Sequence, residues 1–256
     1  MFLIRGLYTS ASGMLAESVR SDVTSNNLAN VNTTGYKKDT TVMASFPEML
    51  VLRLNDRRQG EVQPPKVGTL GTGVLVDETV TSHTQGQLKE SSSAFDLAIA
   101  GDGYFTVETP GGEMYTRNGN FTLDGEGYLV TNRGYYVLGQ AGRIRIEGAG
   151  PNGDFAVDGA GNVTVDGGVV DTLQLVSFAD QSQLVKTGDT LFAAAEQGTQ
   201  ANGRVMQKYL ETSNVNAITE MVDLITIMRA YEANQKAVQA HDKTLEQVIN
   251  DVGRVK

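Results

Sequence analysis

Apolar side chains recur at helical spacing at both ends of the chain and at strand-like intervals between them. Near the start, Ile4, Leu7, Tyr8, Ala11, Leu15, Val19 and Val23 fall on one face, while Ser10, Ser12, Ser18, Ser21 and Asp22 fill much of the other. That spacing predicts an amphipathic helix over residues 1–30. It runs out in Asn26-Asn-Leu-Ala-Asn-Val-Asn-Thr-Thr-Gly35, whose residues tolerate the left-handed backbone of a helix end. Towards the other terminus, counting alternately three and four residues gives Met221, Leu224, Met228, Tyr231, Gln235, Val238, Asp242, Leu245, Ile249 and Val252. Eight of these ten are apolar, a heptad pattern. Asn216 is placed to cap such a helix, and Glu220 and Asp223 suit its positive end. Its length would be about 55 Å. An amphipathic helix of that length needs a partner in water, and the nearest candidates are the N-terminal helix and both helices of neighbouring copies.

Glycine marks out the rest. Of 29 glycines, 25 lie between Gly60 and Gly203, and residues 204–252 contain none. Because glycine is costly inside helices and useful at turns, the ends are helix-permissive and the middle is turn-rich. Short β-branched and aromatic runs (Tyr104–Val107, Tyr128–Thr131, Tyr135–Leu138, Asn162–Val165, Leu173–Phe178) alternate with Pro110-Gly111-Gly112, Asn118-Gly119, Asp124-Gly125, Asn152-Gly153, Asp158-Gly159 and Asp166-Gly167. Such dipeptides favour tight hairpins. The expected fold is therefore α+β. A Gly-rich, all-β central domain, a distorted antiparallel sheet or barrel, is flanked by long amphipathic helices that pair as a coiled coil. The expected divisions are an N-terminal helix and loop over 1–35, an extended connection over 36–75 whose residues 39–75 could instead form a second small β lobe, the β domain over 76–210 and the C-terminal helix over 211–256.

Charge and chemistry narrow the function. The net charge is −9, with +2 on residues 1–38 and −1 on 218–256, so the acidic surface belongs to the middle, where it serves solubility. That balance argues against nucleic acid as a partner. No run of about 18 apolar residues predicts membrane insertion, and the Met1-Phe-Leu-Ile-Arg-Gly start does not resemble a cleaved Sec signal. With no Cys, thiolate chemistry is excluded. His83 and His241, the only histidines, read as surface or interface residues. Gly148-Ala-Gly-Pro-Asn-Gly153 has the order of a dinucleotide loop but the turn chemistry of Pro-Asn-Gly, and Gly68-Thr-Leu-Gly71-Thr-Gly73 lacks a phosphate-loop Lys. Asp158-Gly-Ala-Gly-Asn162 and Asp166-Gly-Gly168 lack the spacing and terminal Glu of a calcium loop. No catalytic residue, metal ligand, cofactor or small-molecule substrate is expected, and the protein is not expected to be an enzyme.

Four segments carry a resemblance. Asn26-Asn-Leu-Ala-Asn-Val-Asn-Thr-Thr-Gly-Tyr-Lys37 resembles the N-terminal signature of flagellar rod, hook and hook-associated proteins. Ala94-Phe-Asp-Leu-Ala-Ile-Ala-Gly-Asp-Gly-Tyr-Phe105 and Tyr115-Thr-Arg-Asn-Gly-Asn-Phe-Thr-Leu-Asp-Gly-Glu-Gly-Tyr-Leu129 resemble their central signatures. Leu210–Ile225 with Arg229-Ala-Tyr-Glu-Ala-Asn-Gln-Lys-Ala237 resembles the C-terminal one. The residues singled out on this basis are Asn26, Asn27, Leu28, Ala29, Asn30, Gly35, Tyr36, Ser213, Asn214, Val215, Asn216, Arg229, Ala230, Tyr231 and Glu232. Length and a single central domain are similar to the basal-body rod proteins, proximal or distal, rather than to the longer hook protein.

The resemblance implies a structural subunit of the flagellar basal body, outside the cytoplasmic membrane. Its implied partners are copies of itself, other rod and hook axial proteins, and the flagellar type III export apparatus that passes it unfolded. The terminal stripes would then be the assembly interface. The competing expectation, a secreted β-domain enzyme or carbohydrate-binding protein with helical extensions, does not explain why the apolar stripes sit at the two ends.

Overall fold

The computed structural model describes residues 2–52, 66–146, 155–188, 190–196 and 198–253. The chain divides into two units. One comprises Met1–Asn26, Asp39–Val80 and Ile218–Lys256, the other Asn27–Lys38 and Thr81–Ala217.

The first unit is built on two helices, α1 (Phe2–Ala29) and α2 (Ala217–Gly253), whose outermost residues reach into the second. Strands occupy much of the described part of residues 39–75, the segment expected to be an extended connection or a second small β lobe. Asp39–Ser45 pairs with Val74–Thr81, and Met49–Leu52 pairs antiparallel with Lys66–Leu70. Gln59-Gly60 and Pro64-Pro65 lie outside the described residues. The turn before Val74 is tied to α1. The Thr9 hydroxyl donates to the Thr72 carbonyl at 3.1 Å, and the Ser12 hydroxyl accepts from the Val74 N–H at 3.3 Å.

The second unit is antiparallel β. Its main sheet has ten strands. Along its central path lie Leu184–Thr187, Leu191–Ala194, Gly112–Thr116, Tyr104–Thr109, Tyr136–Gly139, Leu129–Thr131 and Phe121–Leu123, in that order. This path does not close on itself, so the barrel form of the expectation gives way to an open sheet. Closure requires strands paired along their length, and the edge strand Phe121–Leu123 has three residues. Phe155–Val157, Asn162–Val165 and Gly168–Thr172 form a separate three-stranded sheet.

Turn chemistry explains some connections and not others. Asp166 and Gly167 take φ of 51° and 80° between the paired residues Val165 and Gly168, a two-residue hairpin with both central residues left-handed. Pro110-Gly111 likewise joins Thr109 to its partner Gly112. Asn118-Gly119 does not close a hairpin: the strand before it pairs with Tyr104–Thr109 and Leu191–Ala194, the strand after it with Leu129–Thr131. Asn152-Gly153 and the 148–153 glycine loop lie outside the described residues.

The central strand Tyr104–Thr109 is buried on both faces. Phe105 and Val107 join the larger core with Leu97, Ile99, Phe121, Leu129 and Val137, while Tyr104 joins a second cluster with Tyr115, Val176, Leu184 and Phe192. This double burial is why the large side chains Tyr104 and Phe105 stand at adjacent positions rather than alternate ones.

Candidate functional site

The helices present two different surfaces. On α1, Tyr8 and Leu15 are 67% and 72% exposed and Val19 is exposed, while Leu7, Ala11 and Val23 are half-buried. On α2, Met221, Met228, Tyr231 and Ile249 are exposed, with Ile218 at 76% and Val222 and Ile225 extending the patch. Leu224, Val238 and Leu245 are half-buried. The side chains of Ile4 and Val252 lie outside the described residues. Most of the apolar stripe of α2 therefore faces solvent.

The most buried line of α2 runs alongside Leu224, Val238 and Leu245. Glu220 and Ile227 are 2% and 1% exposed, and Asn234 and His241, continuing the same seven-residue spacing, are half-buried. A Cβ placed on Gly13 would come within 2.8 Å of the Asn234 side-chain nitrogen, and one on Gly6 would collide with the His241 ring. The two helices thus approach antiparallel at Gly6/His241 and Gly13/Asn234. The apolar period of α2 marks its greasiest face. Which face docks on α1 is decided by where α1 has no side chain in the way.

A second site lies within the β unit, where the signature segments meet. The Lys37 ammonium donates to Glu211 Oε1 at 2.6 Å and to the Thr84 carbonyl at 2.8 Å. Arg117 lies 3.4 Å from Glu211 Oε2, and the Gly86 N–H donates to Oε1 at 2.9 Å. All three charged side chains are 3% exposed or less. Burial holds the Lys37 ammonium below the ordinary lysine range, against the pull of Glu211. Arg117 also stacks over Tyr104, 5.0 Å from the ring centre. Lys37, Tyr104, Arg117 and Glu211 come from the N-terminal, first central, second central and C-terminal signatures in turn, so one member of each meets here.

The residues around this cluster are engaged in the same way. Gly35 has φ of 67°, donates its N–H to the Glu211 carbonyl at 2.8 Å, and a Cβ there would lie 2.7 Å from the Arg117 carbonyl oxygen. Only glycine meets both demands. The Tyr36 hydroxyl donates to Asn27 Oδ1 at 3.1 Å, and Lys186 sits over the Tyr36 ring while donating to the Lys37 carbonyl at 2.8 Å. Asn214 accepts from the Lys38 N–H at 2.7 Å and donates to the Ser82 carbonyl at 2.9 Å, and the Ser213 hydroxyl accepts from the Val215 N–H at 3.3 Å. The structure thus brings together Asn27, Gly35, Tyr36, Ser213, Asn214 and Val215. Leu28, Ala29 and Asn30 close the end of α1; Asn26 and Asn216 are exposed, and Arg229, Ala230 and Glu232 lie on α2, away from the cluster in sequence. Sequence reasoning did not single out Lys37, Arg117 or Glu211. Lys37 is the one charge inside its motif, a usable signal, whereas Arg117 shares its motif with Asp124 and Glu126 and Glu211 shares its own with Glu220 and Asp223.

His83, expected as a surface or interface residue, is half-buried. Its ring packs against Phe192, tilted by 57° at 5.2 Å between centroids, and its Nδ1 is 2.8 Å from the Tyr104 hydroxyl. Asp158 spends both oxygens on its own turn, accepting from the Ala160 and Asn162 N–H groups and the Asn162 side chain, and the Asn162 bonds hold its carboxyl below the usual range. Among the described residues no three His, Asp or Glu side chains converge as a metal site would need, and no helix is long and apolar enough to cross a membrane.

Comparison with known proteins agrees with this arrangement. Residues 7–37 match the flagella basal body rod protein family, residues 98–165 the D1 domain of the flagellar hook protein FlgE/F/G family, and residues 206–251 the C-terminal family of flagellar basal body rod FlgEFG proteins. The chain is 34% identical over 260 residues to the flagellar basal-body rod protein FlgG of Buchnera aphidicola from Acyrthosiphon pisum, covering 96% of this chain and 99% of that one. It is 32% identical to FlgG of Bacillus subtilis, covering 97% and 99%, and 35% identical to FlgG of Agrobacterium fabrum, covering 94% and 96%. With signature segments that converge on one buried cluster, and similarity that runs nearly end to end, the chain belongs to the flagellar basal-body rod proteins and is a structural rod subunit of the basal body, not an enzyme.

Proposed function

We propose that the subunit polymerises with copies of itself through the exposed apolar faces of α1 and α2, and that the same faces join it to other rod and hook axial proteins. The observation that carries this is the patch of Ile218, Met221, Val222, Ile225, Met228 and Tyr231 on α2 with Tyr8, Leu15 and Val19 on α1, all exposed in the single chain. Apolar surface of this extent marks an interaction site. Repetition of one heterologous contact between copies yields a helical filament when its rotation does not close into a ring. In this reading α1 and α2 pair within the chain as a two-helix coiled coil, residues 76–210 form the outward β domain, and the subunit leaves the cell unfolded through the type III export apparatus before taking its place in a torque-transmitting rod. Its function requires no nucleic acid, cofactor, metal, small-molecule substrate or membrane insertion.

The test places a charge on each face. Met228→Lys and Leu15→Lys would bury an ammonium at every contact between copies, which is strongly disfavoured without a partner charge. Both should abolish motility and stall construction at the rod, while the melting of the β unit stays unchanged. Lys243→Glu, at an exposed position away from the patch, should swim. Functional flagella built from both Lys variants would remove the helical faces from the mechanism.

A further inference from the structure

The α1–α2 contact is made by residues that the apolar pattern passes over. Gly6 and Gly13 are seven residues apart on one helix; Asn234 and His241 are seven apart on the other. The N-terminal glycine meets the C-terminal polar residue and the reverse, so both contacts belong to one antiparallel alignment. The α2 line continues upward through Ile227 and Glu220, the two most buried positions described on that helix. Each glycine leaves a gap one side chain deep, and each gap is filled by a large planar polar group.

We infer that Gly6/His241 and Gly13/Asn234 form a register lock, two cradles one heptad apart that admit a single antiparallel alignment of α1 and α2 within one chain. The physical argument rests on volume and polarity together. A slip by one helical turn would set Asn234 and His241 against side chains instead of glycines, and the overlap would push the helices apart. Small residues allow close helix approach, and a polar residue in a seam specifies register at some cost in stability. A seam made this way takes in Ile227 but leaves Met221, Met228, Leu15 and Tyr8 exposed, so these remain for neighbouring copies. This deepens the proposed reading, on which it rests for its purpose but not for its geometry.

Because the chain has no cysteine, disulfide trapping reads the register without background. The full-length Gly13→Cys/Asn234→Cys protein is oxidised beside the off-register Gly6→Cys/Asn234→Cys protein, in dilute solution and in purified basal bodies. The in-register pair should form an intrachain disulfide in both settings; the off-register pair, about 10 Å out of alignment at 1.5 Å per residue, should not. Equal crosslinking of the two pairs, no crosslinking in either setting, or a product that is only interchain overturns the lock.

A volume swap then tests the cradle itself. Gly13→Asn alone should cost at least tenfold in swimming cells. Adding Asn234→Ala should restore most of them, whereas adding His241→Ala should not. A swap that rescues no better than the mismatched pair also overturns the lock. These outcomes separate from the larger proposal: an in-register disulfide in a subunit that still assembles with Met228→Lys would retain the lock and discard the apolar face as its counterpart.

Discussion

Glu211 is the residue on which most of the second site depends. Its two oxygens serve Lys37, Arg117 and the Gly86 N–H, and its carbonyl serves Gly35. Glu211→Gln would leave two buried cations facing one amide, and breaking a buried pair in this way costs about 3–5 kcal/mol. The expected result is a melting temperature lowered by several degrees, measured by calorimetry. Lys37→Met with Glu211→Leu should recover part of the loss, because a matched apolar pair leaves fewer charges unpaired. A second residue-scale expectation concerns alkaline pH. Burial pushes the Tyr104 phenol up to about 12 from an ordinary value of 10.0. Between those values the folded chain holds a proton the unfolded chain has released, so this stability is complete below about 10 and is lost as pH rises through about 12. Lys37, lowered from 10.5, has the opposite sign and its window lies below 10.5. Melting followed from pH 10.5 to 12 should therefore fall, and fall less steeply in Tyr104→Phe. The remaining slope belongs partly to Tyr115, which burial also raises.

At the scale of elements, the helices and the hairpins were legible for different reasons. Periodicity located α1 and α2 because 3.6-residue spacing is a property of the backbone, and it placed the first helix end near Ala29. Asp166-Gly167 was legible because the turn needs two left-handed residues. Asn118-Gly119 was not, because its strands choose partners far along the chain. The inward face of α2 was the largest departure. Counting apolar residues from Met221 set Met221 and Met228 one position away from the line through Glu220, Ile227, Asn234 and His241, while Leu224, Val238 and Leu245 of the same count flank that line half-buried. A single helix contains no information about the shape of its partner, and here the partner offers glycines. The assembly variants and the register lock above test these two faces separately.

For the whole molecule, the arrangement predicts what survives when the polymer is absent. In the proposed assembly the amphipathic ends gain their remaining burial from other copies, so in dilute monomer they are expected to be the first to open. The segments 27–38 and 211–217, by contrast, are bonded into the β unit through Gly35, Lys37, Glu211 and Asn214. Limited proteolysis should therefore remove residues before about 26 and after about 217 and leave a folded core that retains both signature segments. Mass spectrometry of the resistant fragments decides the matter, and loss of Lys37 or Glu211 at the same rate as the helices would refute it. The sequence by itself determined the helical ends, the β middle and the family, because those follow from local spacing, glycine distribution and contiguous motifs. Only the tertiary structure decided that the sheet stays open, that His83 packs among aromatic rings, that one residue from each of the four signatures meets at a buried charge cluster, and that α2 turns Glu220, Ile227, Asn234 and His241 inward. Each of these depends on which distant side chain, or which missing one, stands opposite, and no local pattern encodes that.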